Sequence, residues 1–415
     1  MIKSKKIQAS AIYYALFLSV IFALILGGFI LLSGFNQKFA LQMDVEEILI
    51  DNSHSGMAYA QVYFKELENN APTTIRLFDE GVDSVELVKK NWGAFTILSS
   101  KASHRNSTQS KIALFGAALS SKQTNLYLVD NGRPISLCGD ARIEGLCFLP
   151  KAGLKRAYIN GQNYTGGKLV YGTVKTANKQ LPSLQSNFLE ELIQVNGELT
   201  EWNEDEDSII VSFGGNAAHF LSDRYITIQN TVIKGQVIVE ARDSIFVGRN
   251  AIIENAVLKS KVIYIEAGFS GTAQIFASER IIIEEDVSLK YPSVLCLIEE
   301  QFSTEKSAEI YIGEGSQVIG TVFMFSKTPN FRKPPMLTIE SEGEIDGLVY
   351  CAGKTQLKGI INGSLFTEKL FLKTGSSAYE NHLLNGKILD QLPKDFVTAN
   401  LFETTEVLQQ IAWLE

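Results

Sequence analysis

The stretch ITIQNTVIKGQVIVEARDSIFVGRNAIIENAVLKSKVIYIEAGFSGTAQIFASERIII, residues 226–283, repeats itself. Markers rich in β-branched residues recur along it: ITI at 226–228, IFV at 245–247, IYI at 263–265 and III at 281–283. Their starts lie 19, 18 and 18 residues apart. Further on, IYI at 310–312, LTI at 337–339 and LKG at 357–359 follow at intervals of 29, 27 and 20. The two long intervals contain EEQFSTEKSAE (299–309) and SKTPNFRKPP (326–335), which read as loops expelled from a regular unit. Each apolar run is short and broken by glycine or charge, so the period belongs to strands and not to helix.

A period of 18 residues built from short strands suits a parallel β-helix, in which each strand pairs with its copy about 4.8 Å above and below. A second phrase recurs with it: EIDGLVYC at 344–351, VIGTVFMF at 318–325, INGSLFT at 361–367, IKGQVIV at 233–239 and IEGLCFL at 143–149. Its glycine marks a corner where a side chain would crowd the bend, so Gly235, Gly271, Gly320, Gly347 and Gly363 are expected at coil corners. Counting four residues past Gly320, Gly347 and Pro292 stacks Met324, Cys351 and Cys296 in one column. The two cysteines would then stand two coils apart, beyond the ~7 Å reach of a disulfide.

Working outward, residues Ile7 to Gln37 carry no charge, and Ile12–Leu32 form a 21-residue apolar core. That length crosses a ~30 Å hydrocarbon layer. A cleaved signal peptide is the competing reading, but its apolar region is shorter, about 7–15 residues. Lys3, Lys5 and Lys6 before the run, with Asp44, Glu46 and Glu47 after it, place the N-terminus in the cytoplasm. Beyond the span, Phe39, Met43, Leu49, Met57 and Val62 suit an amphipathic helix broken near Ser55–Gly56. Strand-like runs follow at 73–79, 84–89, 93–100 and 111–119, and DNG at 130–132 reads as a hairpin turn between NLYLV and PISLC. Cys138 and Cys147 lie nine apart, either as a disulfide in an oxidising compartment or as two strand thiols.

Two resemblances follow from these residues. The basic N-terminus, long apolar helix and small β-region resemble type IV pilins and their minor pilin relatives, although the glycine before the apolar run and the glutamate five positions into it are not present. The region 205–370, with its period and its glycine-apolar phrases, resembles the bactofilin-type polymer-forming domain. That resemblance implies a right-handed β-helix acting as an envelope scaffold, with no cofactor and no catalysis. The left-handed hexapeptide helix of acyltransferases is the rival, although strict six-residue apolar steps fail outside IFVGRNAIIENAV.

The chemistry-bearing residues do not assemble into a known motif. A net charge of −8 and the lack of a basic stripe interleaved with aromatics exclude nucleic acid as partner. No metal-ligand spacing is found around His54, His104, His219 and His382, and no G-x-S-x-G or phosphate loop occurs. Carboxylates that a glycosidase would need exist at Glu284, Glu285 and Asp286 and at Glu340, Glu342, Glu344 and Asp346, where alternation points to a solvated strand face or a calcium site.

The sequence therefore predicts a mainly β protein: a single N-terminal transmembrane helix, a small α+β region and a right-handed parallel β-helix. Its parts are cytoplasmic lysines and anchor (1–40), a pilin-like α+β region (41–135), an early coil and capping segment with a helix at 183–199 (136–204), the β-helix (205–390) and a C-terminal capping helix (391–415). The expected role is a non-enzymatic scaffold in the inner membrane with its bulk in the periplasm. It would assemble with itself or with protein partners, as part of a pilus-like or secretion-type assembly. The alternative is a tethered β-helix that binds or cleaves polysaccharide.

Overall fold

The computed structural model describes residues 9–414 except 78–83, 120–122, 186–188, 190–191, 193–196, 205, 301–306, 329–332 and 403–406. The chain is mainly β with one N-terminal apolar helix. It divides into two compact units, the first comprising residues 1–60, 72–87 and 99–111, the second 61–71, 88–98 and 112–415.

In the first unit one helix dominates. It runs unbroken from Ala9 to Val62, roughly 80 Å at 1.5 Å per residue. Its apolar N-terminal part is long enough to cross a membrane and none of it is buried. Burial begins only at Leu49 and continues at Asn52, Ser53, Met57 and Ala60, one stripe of the helix. The expected break near Ser55–Gly56 does not occur. Gly56 is tolerated at about 1 kcal/mol against alanine because a side chain there would strike the strands: a Cβ would lie 2.6 Å from Val85 Cγ1.

In the second unit the markers pair in parallel, each with the next: 225–228 with 244–247, then 262–265, 280–283, 309–312 and 336–339. Alternation turns Ile226, Ile245, Ile263, Ile281, Ile310 and Leu337 inward, where all are essentially buried, and turns the middle residue of each marker outward. One such isoleucine contributes about 1.5–3 kcal/mol by burial, and it can be buried only because copies stand above and below it. The two long intervals leave the pairing intact. The seventh marker is 355–357 and not LKG: Leu357 takes the place under Ile339, while Thr355 and Gln356 hide the pattern behind polar residues.

A second column of strands follows the glycine phrase. Gly320 pairs with Gly347 and Gly347 with Gly363, at φ of 146°, 145° and 131°. Their missing side chains form a trough. Leu392 packs against Gly363 and Phe396 against Gly347, so residues 390–401 lie along the column as a strap. Tyr291 donates to Val397 O at 3.1 Å, and Thr321 Oγ1 accepts from Ala399 N at 3.0 Å. The strap continues into Val397–Thr398 and Leu408–Trp413, antiparallel to 113–118. Within the expected C-terminal capping helix of 391–415 the described residues hold no helix: Val397–Thr398 and Leu408–Trp413 are strands, and 403–406 fall outside the described residues. The i, i+3, i+4 spacing of this segment suits a helix, but pairing with 113–117 draws it into a strand whose register shifts between Gln410 and Ala412, next to Ile411.

The early segment occupies an unexpected place. Thr124–Leu128 does not form a hairpin with Ile135–Cys138. It pairs in parallel with 365–367 and with 142–149, and 135–138 pairs in parallel with 382–384 and 154–156. The turn chemistry at DNG is real: Asp130 Oδ1 accepts from Gly132 N and Asn131 Oδ1 from Arg133 N, with Gly132 at φ 73°. It turns a corner between two stacked columns, where the sequence suggested an antiparallel return. Residues 142–149 then pair with Tyr171–Thr176. The segment 124–176 therefore lies beyond 360–389, at the opposite end from Gly197–Glu201 and Ser208–Val211, although the chain reaches it first. Asn125 secures the junction, donating to Gly363 O and Asp390 Oδ1 and accepting from Leu146 N, all at 3.0–3.1 Å. Most of the helix expected at 183–199 falls outside the described residues, and 197–201 is strand.

Candidate functional site

Among the described residues the parallel ladder has two ends that nothing pairs. At one, 197–201 pairs only with 217–222 and 208–211 only with 232–235. At the other, 171–176 pairs only with 142–149, and all six of its residues are exposed. Between them one column of side chains runs through Glu201, Leu221, Glu240, Lys259, Phe276, Cys296, Phe323, Tyr350, Phe366, Tyr127, Phe148 and Lys175. These are twelve rungs, about 53 Å at 4.8 Å each. The aromatic stretch is stacked ring on ring, with centroids 5.6–6.4 Å apart between paired rungs.

The ends differ in charge. From Gln180 to Asp223 the sequence has no Lys or Arg, and Glu201, Glu204, Glu206 and Asp207 lie at this end. From Arg142 to Gln180 there are seven cations, Arg142, Lys151, Lys155, Arg156, Lys168, Lys175 and Lys179, against Glu144 alone. Each end also shows apolar side chains: Leu199 is 66% and Ile210 68% exposed at the acidic end, Val174 49% at the basic one. An unpaired strand offering backbone donors and acceptors is a template for another strand. The sequence contains both clusters, but only the pairing shows that they sit at opposite ends.

The residues singled out from the sequence fall as follows. Gly235 pairs with Val211 at φ 84°, and Gly320, Gly347 and Gly363 share one column. Gly271 pairs with Leu289 outside that column, where a Cβ would lie 2.7 Å from Phe269 Cζ. Cys138 and Cys147 are free thiols and not a disulfide. Cys147 lies in the large interior core, and Cys138 in a separate cluster with Ile159 and Leu372. Burial pushes Cys147 up to about 12. Cys296 and Cys351 are free as expected, with a different register from the one counted. Met324 pairs with Cys351, Sγ to Sδ 3.9 Å, but Cys296 pairs with Phe323 because Ser293, and not Pro292, stands opposite Gly320. A slip of one residue turns a side chain to the other face.

The acidic residues do not gather into a catalytic pair. Glu340 is bound by Lys358, and Glu342 occupies a turn at φ 59°. Glu344 and Asp346 are half-buried within a strand, so the four do not share one solvated side. Burial pushes the Asp346 carboxyl up, against hydrogen bonds from Asn362 and Gln317. A carboxyl that binds its proton more tightly folded than unfolded adds stability as pH falls through its raised value. Asp346→Asn should accordingly melt above the parent at pH 7, by circular dichroism, with the gap closing toward pH 4.

A cavity of about 330 Å³ opens where the aromatic column gives way to charge, with Val257, Phe276, Cys296 and Ile298 as floor and Glu240, Arg242, Lys259 and Lys261 at the rim. Glu240 binds His219 Nε2 and Lys259 Nζ, both at 2.9 Å, and His219 first, then Lys259, hold its carboxyl down at about 2. So acidic a group is a poor general base near neutrality. No group of three or more His, Cys, Asp or Glu able to hold a metal occurs among the described residues. No family model, no curated protein and no solved structure matches this chain.

Proposed function

We propose that the protein is a membrane-anchored scaffold of the cell envelope, held by its N-terminal helix in the inner membrane with the bulk of the chain outside the cytoplasm. In this reading the parallel ladder winds as a right-handed β-helix like the bactofilin-type domain, and the helix with its small β-region resembles a minor pilin. It works without cofactor or catalysis. The single observation that carries the proposal is the pair of unpaired, oppositely charged ends. The acidic end of one copy meets the basic end of the next, adding parallel pairing to charge attraction. Such a head-to-tail contact does not close on itself and builds a filament or a row.

The test uses the full chain in detergent, followed by analytical ultracentrifugation. The parent should associate at low salt and dissociate at ionic strengths that shorten the Debye length to a few ångströms. Reversing the basic end (Lys151→Glu, Lys155→Glu, Lys168→Glu) or the acidic end (Glu201→Lys, Glu204→Lys, Glu206→Lys) should weaken association at least about tenfold. Mixing the two reversed proteins should restore pairing between unlike copies. A parent that stays monomeric at low salt, or association indifferent to both reversals, sinks the proposal.

A further inference from the structure

The two open ends of the ladder terminate the same columns. The column of twelve rungs starts at Glu201 and finishes at Lys175. The column beside it, which faces the interior, starts at Thr200 next to Phe220, passes through Leu258 and Leu295, and finishes at Val174 next to Cys147. Leu258 and Leu295 are wholly buried, whereas Thr200 is exposed and Val174 49% exposed, so this interior column is open at both ends. Every pairing along it is parallel. A second copy placed along the ladder therefore brings 171–176 against 197–201 as one more step of the same kind.

The charged column already contains a step between an acid and a base. Glu240 and Lys259 stand on successive rungs with their charged groups 2.9 Å apart. Among the described residues neither Glu201 nor Lys175 makes an ion pair, and the Lys175 ammonium rests over the Phe148 ring at 5.5 Å. Glu201 of one copy beside Lys175 of the next repeats the Glu240–Lys259 step across the junction. The same placement sets Val174 on Thr200 and closes the interior column. A slip of one residue would turn Val174 to the outer face. A slip of two keeps the faces but sets Lys175 opposite Leu199, or opposite Asn203 beyond the end of the strand.

We propose that copies of the chain join in this one register, with Lys175 opposite Glu201, Val174 opposite Thr200 and Thr173 opposite Leu199. The inference rests on end-to-end assembly and fixes what charge attraction alone leaves open, the alignment of the two strands. Joined in this way, the ladder passes from copy to copy without a break and repeats every twelve rungs, about 58 Å at 4.8 Å each.

The experiment pairs engineered cysteines in the full chain, in detergent at low salt, with copper–phenanthroline as oxidant and non-reducing gels as readout. The four native cysteines are buried, so the parent is the blank. Thr173→Cys with Leu199→Cys should link copies into a covalent series, because opposite residues on neighbouring strands stand about 4.8 Å apart, within disulfide reach. Thr173→Cys with Glu201→Cys, two residues along the same face, should give at least about tenfold less product. Sedimentation of charge variants is the second arm. Lys175→Glu should weaken association about tenfold or more, and Lys175→Glu with Glu201→Lys in one chain should return it to within about threefold of the parent. Lys155→Glu with Glu201→Lys, which lie in different columns, should show no such recovery. Equal linking of both cysteine pairs, or no recovery in the Lys175–Glu201 double reversal, overturns the register and leaves end-to-end assembly standing. A full chain that stays monomeric at low salt overturns both.

Discussion

Gly347→Ala should leave little folded protein. The residue sits at φ 145°, where an L side chain is strained, and a Cβ there would overlap the carbonyl oxygen of Gly320 on the rung beneath and press on the Phe396 ring at 3.3 Å. The obstacle on one side is backbone, which cannot rotate away, and the rungs above and below hold the strand in place. Strain and overpacking together should cost more than about 3 kcal/mol, a large share of the stability of an ordinary domain. The expected result is an aggregated product, or a folded fraction whose circular-dichroism midpoint is lower by several degrees. Gly375→Ala serves as the control, because nothing lies within 4 Å of its added methyl. If Gly347→Ala melts like the control, the glycine column is dispensable.

The second large effect is expected at Gln274. Its side chain is almost wholly buried, and it replaces a missing backbone partner at the turn of Trp92–Phe95. Oε1 accepts from Ala94 N at 2.8 Å and Nε2 donates to Trp92 O at 3.0 Å, while Gly93, at φ 58°, leaves room for the amide. Gln274→Leu keeps the volume and strands both backbone groups without water. Each orphaned group costs about 1–3 kcal/mol, so the pair should cost about 2–6. Because the loss is local, hydrogen exchange should quicken at Ala94 and its neighbours while amides of 309–312, 336–339 and 344–357 stay protected. Uniform protection in both regions would show that the turn is held by other contacts, such as the 3.2 Å bond from Trp92 Nε1 to Asn255 O.

Much of the architecture was legible because burial repeats. Ile226 to Leu337 announce their column through spacing alone, and the glycines of 320, 347 and 363 announce a second column, inside strands 317–326, 344–357 and 360–373. What stayed hidden depended on partners distant in the chain. Asp130-Asn131-Gly132 has the same turn chemistry whether its flanking strands pair with each other or with 365–367 and 382–384. Leu408 and Ile411 have helical spacing, and only pairing with 113–117, with a register shift between Gln410 and Ala412, makes a strand of them. Counting from Pro292 puts Cys296 one residue off, because Ser293 is the residue that stands opposite Gly320. The charged clusters at 142–179 and 198–207 were visible as composition. That they mark opposite ends follows from 124–176 stacking beyond 360–389, which no local pattern encodes.

That stacking order has a consequence for biosynthesis. The strands at 124–149 leave the ribosome some two hundred residues ahead of 360–389, the segment they must pair with. At ordinary translation speeds the wait is on the order of tens of seconds. The middle repeats, whose partners follow within eighteen or so residues, can nucleate early; 124–128, 142–149 and 171–176 can pair among themselves, but this group can join the ladder only when 360–389 has been made. A chain truncated before 360 should therefore leave the group 124–176 detached from the ladder, besides lacking its own missing strands. Until 360–389 is made, the side of that group which meets 365–367 and 387–388 is the surface on which a holding chaperone would have to act.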